Sequence, residues 1–197
     1  HIEGRLKPAA LRLLYPTHAA LHKGFDVLFE ALAILKAAKV DFVLYSTVDD
    51  RDWPKGGAVY RRQLEDLGLT DRVVWLGRVP QRQMGALYRA ADLMVYPSLV
   101  ESFGFSMVEA MSCGLPIVAA GTDVNREICQ GAALYYEPLN PQAAASMISH
   151  AQEPVVRRRL REEALSRMRS YDWSWDRYAR EFCEIISAVL SEGRTER

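Results

Sequence analysis

The chain has 197 residues, of which 49% are hydrophobic and 25% charged, and its 25 Lys and Arg residues balance 25 Asp and Glu residues. This composition excludes a disordered chain, and the length is sufficient for one sizeable core. No apolar run is long enough to span a bilayer. A balanced chain also lacks the long-range field that gathers nucleic acid, so we expect no nucleic-acid partner.

Short apolar runs alternate with longer segments whose apolar residues recur at helical spacing, as in Phe25, Leu28, Leu32 and Leu35. We predict strands at residues 11–15, 42–45, 73–76, 93–96, 117–120 and 133–136. Helices are predicted around residues 25–35, 59–67, 83–91, 106–113, 141–151, 154–169 and 173–190. This alternation predicts an α/β fold, a doubly wound Rossmann-like parallel sheet of about six strands.

Residues 1–5 are interpreted as an expression-tag remnant, because residues 2–5 read Ile-Glu-Gly-Arg, the recognition sequence of a tag-removing protease. Residues 6–197 are then expected to be one domain cut from a longer protein. The three cysteines, Cys113, Cys129 and Cys183, are odd in number and widely spaced. They favour free thiols in a reducing compartment, and hence a cytoplasmic location, over disulfides or a metal site.

The turn after the fourth strand carries the clearest functional signal. It opens a helix at the carboxyl end of a strand, where unpaired amides and the helix dipole favour an anion. Gly104 lets a ligand approach the backbone closely. Glu101 and Glu109, with seven residues between them, could accept hydrogen bonds from sugar or ribose hydroxyls on either side of a phosphate.

Other interpretations of the two glutamates remain open from spacing alone. Ser106 and Glu109 also fit a capping box that merely starts the helix, and Glu101 could be a solvated charge. A glycosidase acid–base pair is a weaker alternative.

The segment resembles the Glu-x7-Glu motif of retaining glycosyltransferases with the GT-B fold, the group called glycosyl transferases group 1. Pro97-Ser98 before it and residues 110–118 after it match the same pattern. The resemblance extends over residues 11–190 and covers only the carboxyl-terminal, nucleotide-sugar-binding half of such an enzyme. It implies one half of a GT-B enzyme, with the amino-terminal acceptor domain absent.

The resemblance assigns roles to individual residues. Glu101 would contact hydroxyls of the transferred sugar, and Glu109 would bind the ribose of the nucleotide. Main-chain amides between them would hold the sugar and diphosphate, and these belong to Phe103, Gly104, Phe105, Ser106 and Met107. Ser102 and Ser106 stand where a common version of the motif has Gly and Pro, and Ser106 would either meet the phosphate or cap the helix.

The loop after the first strand resembles the family's Lys-Gly segment, which places Lys23 on the diphosphate beside Glu101 in the catalytic machinery. The family's usual Arg falls on His18, and a neutral imidazole would make diphosphate binding weaker or pH-dependent. Without the motif, Lys23 would be an ordinary exposed lysine. His18 and His22 are four apart but lie in a predicted loop without a third ligand, so we expect no metal.

Two later turns carry weaker signals. Arg78 and Val79 are candidates for reading the nucleobase edge through their backbone, although a plain turn is an equal alternative. Glu127, after the fifth strand, is either a further ligand group or a solvated loop charge.

The carboxyl-terminal helices suggest two surfaces. The arginine-rich segment 157–169 is most simply a solvated helix face, and contact with an anionic membrane surface is the alternative. In the last helix, apolar residues recur at i, i+3, i+7, i+10, i+11 and i+14. In the GT-B architecture this helix crosses back to the amino-terminal domain, so part of the stripe would be exposed here.

Together these features predict the donor-binding domain of a retaining glycosyltransferase that moves a sugar from a nucleotide diphosphosugar, such as a UDP- or GDP-sugar, to a hydroxyl acceptor. No other cofactor is expected, and the isolated domain is expected to be inactive. A nucleotide-sugar epimerase of the same architecture and a non-enzymatic binding module remain as alternatives.

Overall fold

The computed structural model describes residues 11–48, 54–171 and 174–195. The predicted tag remnant at residues 1–5 lies outside them. The strands are β1 (Leu11–Tyr15), β2 (Phe42–Ser46), β3 (Val73–Trp75), β4 (Leu93–Tyr96), β5 (Ile117–Ala120) and β6 (Ala133–Tyr136). The helices are α1 (Phe25–Ala37), α2 (Pro54–Asp66), α3 (Gln81–Ala90), α4 (Phe105–Ser112), α5 (Asp123–Cys129), α6 (Pro141–Ala151), α7 (Pro154–Ser170) and α8 (Trp175–Thr195).

All six strands pair in parallel in the order β3-β2-β1-β4-β5-β6. The chain therefore moves outward from β1 in one direction, returns, and moves outward in the other. Helix α1 contacts α2 and α6, whereas α4 contacts α3, α5 and α7. Right-handed crossovers place these two groups on opposite faces of the sheet. The predicted α/β, doubly wound Rossmann-like sheet of six strands is confirmed.

The core lies between the sheet and these helices. Strands β2, β4 and β5 are buried at every position, as expected for a parallel sheet covered on both faces. The predicted stripe of α1 is confirmed, since Phe25, Leu28, Leu32 and Leu35 are each at most 2% exposed.

The predicted elements differ from the structure in two places that matter. Helix α2 starts at Pro54, five residues before the predicted start. Residues 123–129, expected to be a loop, form α5, whose N-terminus is capped by Thr122 Oγ1 accepting from the amide of Asn125. A seven-residue helix is too short to show a clear apolar period, which explains the omission.

Helix α8 is exposed at every residue from 174 to 190. Its apolar residues are 44–70% exposed, and they are Trp175, Tyr178, Phe182, Ile185, Ile186, Val189 and Leu190. No helix among the described residues combines the length and apolar character that crossing a membrane requires. The three cysteines are free thiols, of which Cys129 is buried and Cys183 exposed.

Candidate functional site

A cavity of about 530 Å³ opens at the carboxyl ends of β1–β4. We call it the carboxyl-edge cavity. It is lined by Pro16, Thr17, His18, Ala19, Thr47, Val48, Arg78, Val79, Gln81, Met84, Tyr88, Ser106 and Glu109. Ligands of doubly wound sheets bind at this edge, where the strand order reverses between β1 and β4. Five residues predicted from the sequence therefore meet at one place: His18, Arg78, Val79, Ser106 and Glu109.

Glu109 is fixed by two neutral donors from α3. Tyr88 donates its hydroxyl hydrogen to Glu109 Oε2 at 2.7 Å, and Gln81 Nε2 donates to Glu109 Oε1 at 2.8 Å. Burial, followed by the hydrogen bond to Glu109, raises the pKa of Tyr88, so this hydroxyl remains a donor. The side chain of Glu109 is thus held toward the cavity with lone pairs left on each oxygen.

This geometry is not a capping box. The N-cap of α4 is Gly104, which has a left-handed backbone with φ of +82° and offers no side-chain cap. The capping interpretation of Ser106 and Glu109 is therefore wrong. Ser106 follows the first helical residue and lines the cavity, so its hydroxyl lies near any group that the amides would bind.

The amides of residues 103–107 divide into two groups. The Met107 amide donates to the carbonyl oxygen of Gly104 at 2.9 Å, so it is engaged within the turn. Its side chain is fully buried beneath the turn. Within the described part of the chain, the amides of residues 103–106 donate to no protein acceptor. Four of the five predicted amides are therefore open at a helix N-terminus, the arrangement that favours an anion.

Lys23 and Glu101 form a buried ion pair next to this turn. Lys23 Nζ lies 2.6 Å from Glu101 Oε1, and the side chains are only 6% and 12% exposed. The interpretation of Lys23 as an exposed lysine, and that of Glu101 as a solvated charge, are both wrong. The short helical turn at Leu21–Lys23 positions the lysine, and the Tyr15 hydroxyl donates to its carbonyl oxygen at 2.7 Å.

The pKa of Glu101 reflects two opposing effects. Burial alone would raise the pKa, but hydrogen bonds from Lys23, Ser98 and Tyr96 outweigh it, and the pKa of Glu101 is lowered. The Tyr96 hydroxyl also interacts with Ser106 and so connects the ion pair to the cavity. Glu101 therefore stays a carboxylate at neutral pH.

His18 is exposed at the cavity rim and is neutral at pH 7. Burial, and then the positive charge of Lys23, lower its pKa below the ordinary value. The rings of His18 and His22 are 6.3 Å apart. Within the described ranges, no three His, Cys, Asp or Glu side chains are grouped as a metal would require.

Sequence reasoning missed the residues that orient the predicted ones. Gln81 and Tyr88 are seven apart on α3, so they share one helix face, and this spacing was the available signal. Asn125 is fully buried and donates to Ala120 O at 2.9 Å and Ser98 O at 3.5 Å, which ties α5 to the turn after β4. Glu127 is exposed on α5 and does not line the cavity.

The doubly wound parallel sheet is the Rossmann-like fold of GT-B glycosyltransferases. The model of the family described as "Glycosyl transferases group 1" matches residues 5–167. The chain belongs to this family, and the resemblance of the sequence is confirmed.

Named relatives agree with this membership. D-inositol 3-phosphate glycosyltransferase of Salinispora tropica is 31% identical over 88% of this chain and 37% of its own length. Mannosylfructose-phosphate synthase of Agrobacterium fabrum is 28% identical over 89% of this chain and 39% of its own length. The chain thus spans under two fifths of the length of these relatives.

Two crystal structures show the same fold. A glycosyltransferase from Rickettsia africae superposes with a TM-score of 0.79 at 22% identity, covering 93% of this chain and 49% of that one. Anabaena HepE, crystallised with UDP and glucose, gives a TM-score of 0.72 at 24% identity, covering 90% of this chain and 48% of that one.

Proposed function

We propose that this chain is the donor-binding domain of a retaining glycosyltransferase, which moves a hexosyl group from a nucleotide diphosphosugar to a hydroxyl acceptor. The observation that carries the proposal is the carboxyl-edge cavity, whose lining includes the oriented carboxylate of Glu109 and Ser106 in the uncapped first turn of α4. The buried Lys23–Glu101 pair lies outside this lining and is linked to Ser106 through Tyr96. The donor is a UDP- or GDP-sugar, and HepE, which shares the fold, was crystallised with UDP and glucose.

The diphosphate binds at the N-terminus of α4. The open amides of residues 103–106 donate to its oxygens, and the hydroxyl of Ser106 adds a further donor. Lys23 lies beside them and retains two N–H groups when one is bonded to Glu101. As the bond to the sugar breaks, negative charge grows on the leaving diphosphate, and these fixed donors stabilise it.

The two glutamates hold the ends of the donor. Glu109, oriented by Tyr88 and Gln81, accepts hydrogen bonds from the ribose hydroxyls. Glu101 accepts hydrogen bonds from the hydroxyls of the transferred sugar. The backbone of Arg78 and Val79, which also line the cavity, reads the edge of the nucleobase.

The acceptor is held by an amino-terminal domain that is absent from this chain. The exposed apolar stripe of α8 is the surface that we propose docks on that domain. The isolated chain therefore binds the nucleotide weakly and transfers no sugar. We place the protein in the cytoplasm, on the basis of its free cysteines. Contact of the arginine-rich segment with an anionic membrane stays a prediction.

Calorimetric titration with UDP, GDP, ADP and CDP tests the site. We expect one or two of them to bind, and Glu109→Gln to weaken that binding about tenfold, because a charge-assisted hydrogen bond is lost. Glu65→Gln, which removes an exposed carboxylate from α2, is the matched control and leaves affinity unchanged. If no nucleotide binds, or if both variants behave alike, the proposed site is wrong.

The reaction is tested separately with the longer protein that includes an amino-terminal domain. It is expected to transfer the sugar with retention of the anomeric configuration, read by NMR of the product. Conversion of the nucleotide sugar without an acceptor would indicate an epimerase instead, and binding without any turnover would indicate a non-enzymatic module.

A further inference from the structure

A second cavity, of about 630 Å³, lies at the opposite edge of the sheet. We call it the amino-edge cavity. It is lined by the start of β1, the end of α3, the segment before β5 and the first turns of α7. Its charged lining residues are Arg12, Arg89, Asp92, Arg157, Arg158 and Arg161. The two cavities therefore belong to different ends of the strands, and only Tyr88 borders both.

The one acid among these lining residues is already engaged. Arg12 Nε lies 2.9 Å from Asp92 Oδ2, and Arg12 Nη2 lies 3.0 Å from Asp92 Oδ1, a two-pronged pair. Burial would raise the pKa of Asp92, but the hydrogen bonds from Arg12 outweigh it, so the pKa is lowered and the pair persists at neutral pH. The charge of Arg157 lowers this pKa further, so Asp92 also partly compensates Arg157, but this one carboxylate stands against five lining arginines.

Of the three acids at the start of α7 and within it, Glu162 is exposed and the other two lie elsewhere. Glu153, the N-cap of α7, lies 3.0 Å from His150 Nδ1 on α6. The carboxylate of Glu163 lies near Gly131, on the far side of the helix. Among the described residues, no carboxylate forms an ion pair with Arg89, Arg157, Arg158 or Arg161.

Arg157 stands where a helix disfavours a cation. The N-terminus of a helix carries a partial positive charge, so cations in its first turns lower stability unless an anion is nearby. Helix α7 has no acid in its first turn and no side-chain cap, yet arginines occupy its fourth, fifth and eighth positions around the cavity. An anion bound in the cavity would compensate these guanidinium groups.

We propose that the amino-edge cavity binds a phosphate group carried by a small organic ligand. Planar guanidinium groups match phosphate oxygens in pairs, which favours phosphate over a monovalent anion. The cavity has the size of a small-molecule site, and Ala91, Leu115 and Pro116 give it an apolar wall for the rest of the ligand. The phosphate group belongs either to a soluble metabolite or to a lipid headgroup.

Amide NMR of the isotope-labelled chain tests the site, with Gly114 reporting on the amino-edge cavity and Gly104 on the carboxyl-edge cavity. Titration with inorganic phosphate is expected to shift the Gly114 signal saturably. Arg158→Ala with Arg161→Ala should weaken this response about tenfold, the equivalent of one lost charge-assisted bond. The control variant, Arg159→Ala with Arg169→Ala, removes the same charge from exposed positions of α7 outside the cavity. It should change the response of the Gly114 signal by less than about twofold.

Two further arms distinguish the sources. Glycerol 3-phosphate represents a soluble ligand, and flotation with phosphatidylglycerol vesicles, against phosphatidylcholine vesicles, represents a headgroup. If wild type binds glycerol 3-phosphate or the phosphatidylglycerol vesicles, and only the Arg158/Arg161 variant loses that binding, the site is supported. The ligand that binds then shows whether the phosphate group belongs to a soluble molecule or to a lipid headgroup. If both double variants lose binding equally, the phosphate group is attracted by the overall positive charge of α7 and not by the cavity. That result would overturn the proposal. So would a wild-type chain whose Gly114 signal does not move and which binds no vesicles.

Discussion

Two turns of this molecule start helices in opposite ways. After β6, Asn140 Oδ1 accepts from the amide of Ala143 at 2.9 Å and closes the N-terminus of α6. After β4, Gly104 starts α4 with a left-handed backbone and no side-chain cap. Helix α1, which begins at Gly24 beside Lys23, is likewise uncapped. The difference shows that the turns beside the carboxyl-edge cavity leave amides open, whereas the turn remote from it closes them.

The largest expected effect comes from Gly24→Ala. Gly24 has φ of +65°, and a Cβ would lie 2.4 Å from the Pro97 carbonyl oxygen, which is backbone and cannot easily move. We expect unfolding free energy to fall by about 3 kcal/mol in urea denaturation. Gly85→Ala, in the interior of α3 with ordinary space for a Cβ, is the control and should be neutral or stabilising. Similar losses in both would contradict the claim.

The next effect is that of Glu101→Gln, which leaves Lys23 buried without its charged partner. We expect a loss of about 2 kcal/mol at pH 7. Because the folded-state pKa of Glu101 is lowered, the carboxylate stabilises the fold fully above its ordinary pKa and loses this effect as pH falls through the lowered value.

Urea denaturation of both chains at several pH values measures this dependence. The difference between wild type and Glu101→Gln should be greatest near pH 7 and shrink below about pH 4. A difference that does not depend on pH would show that the ion pair is unimportant for stability.

A smaller effect is expected from Asn140→Ala, which opens the closed turn. Losing the N-cap should lower stability by about 1 kcal/mol in the same denaturation experiment. Nucleotide affinity should not change, because this residue does not line the carboxyl-edge cavity. If Asn140→Ala weakened nucleotide binding, the capped turn after β6 would not differ in function from the uncapped turn after β4.

The smallest effect is that of His18→Arg. Since the pKa of His18 is lowered, it is neutral at pH 7.5, and a permanent cation there should strengthen diphosphate binding about threefold. The affinity of wild type for diphosphate should rise as pH falls below 6, because His18 becomes protonated. The affinity of His18→Arg should depend less on pH. Unchanged affinity of the variant in calorimetry would remove His18 from the site.

The sequence predicts the sheet well because each strand is a short apolar run bounded by turns. It also brings five of the predicted residues to the carboxyl-edge cavity, since parallel strands end at one edge. The other predicted site residues do not line it, and these are Lys23, Glu101, Phe103, Gly104, Phe105 and Met107. It does not predict α5, which is too short for its period to be visible. Nor does it predict that Lys23 and Glu101 bond to each other, because residues 78 positions apart carry no local signal of contact.

The orientation of Glu109 shows the same limit. A capping box and a ligand-binding carboxylate have the same local pattern, and only the positions of Tyr88 and Gln81 on another helix distinguish them. The arginine-rich segment is a further case. Its composition is visible in the sequence, but the cavity it shares with Arg12 and Arg89 arises from the packing of α7 against α4 and α6.

A crystal of this chain soaked with the nucleoside diphosphate that binds in calorimetry tests the central claim most directly. We predict that the diphosphate oxygens lie within hydrogen-bond distance of the amides of residues 103–106 and of Lys23 Nζ, with the ribose hydroxyls on Glu109. Nucleotide found elsewhere on the chain, with the N-terminus of α4 and Glu109 free of it, would contradict the account.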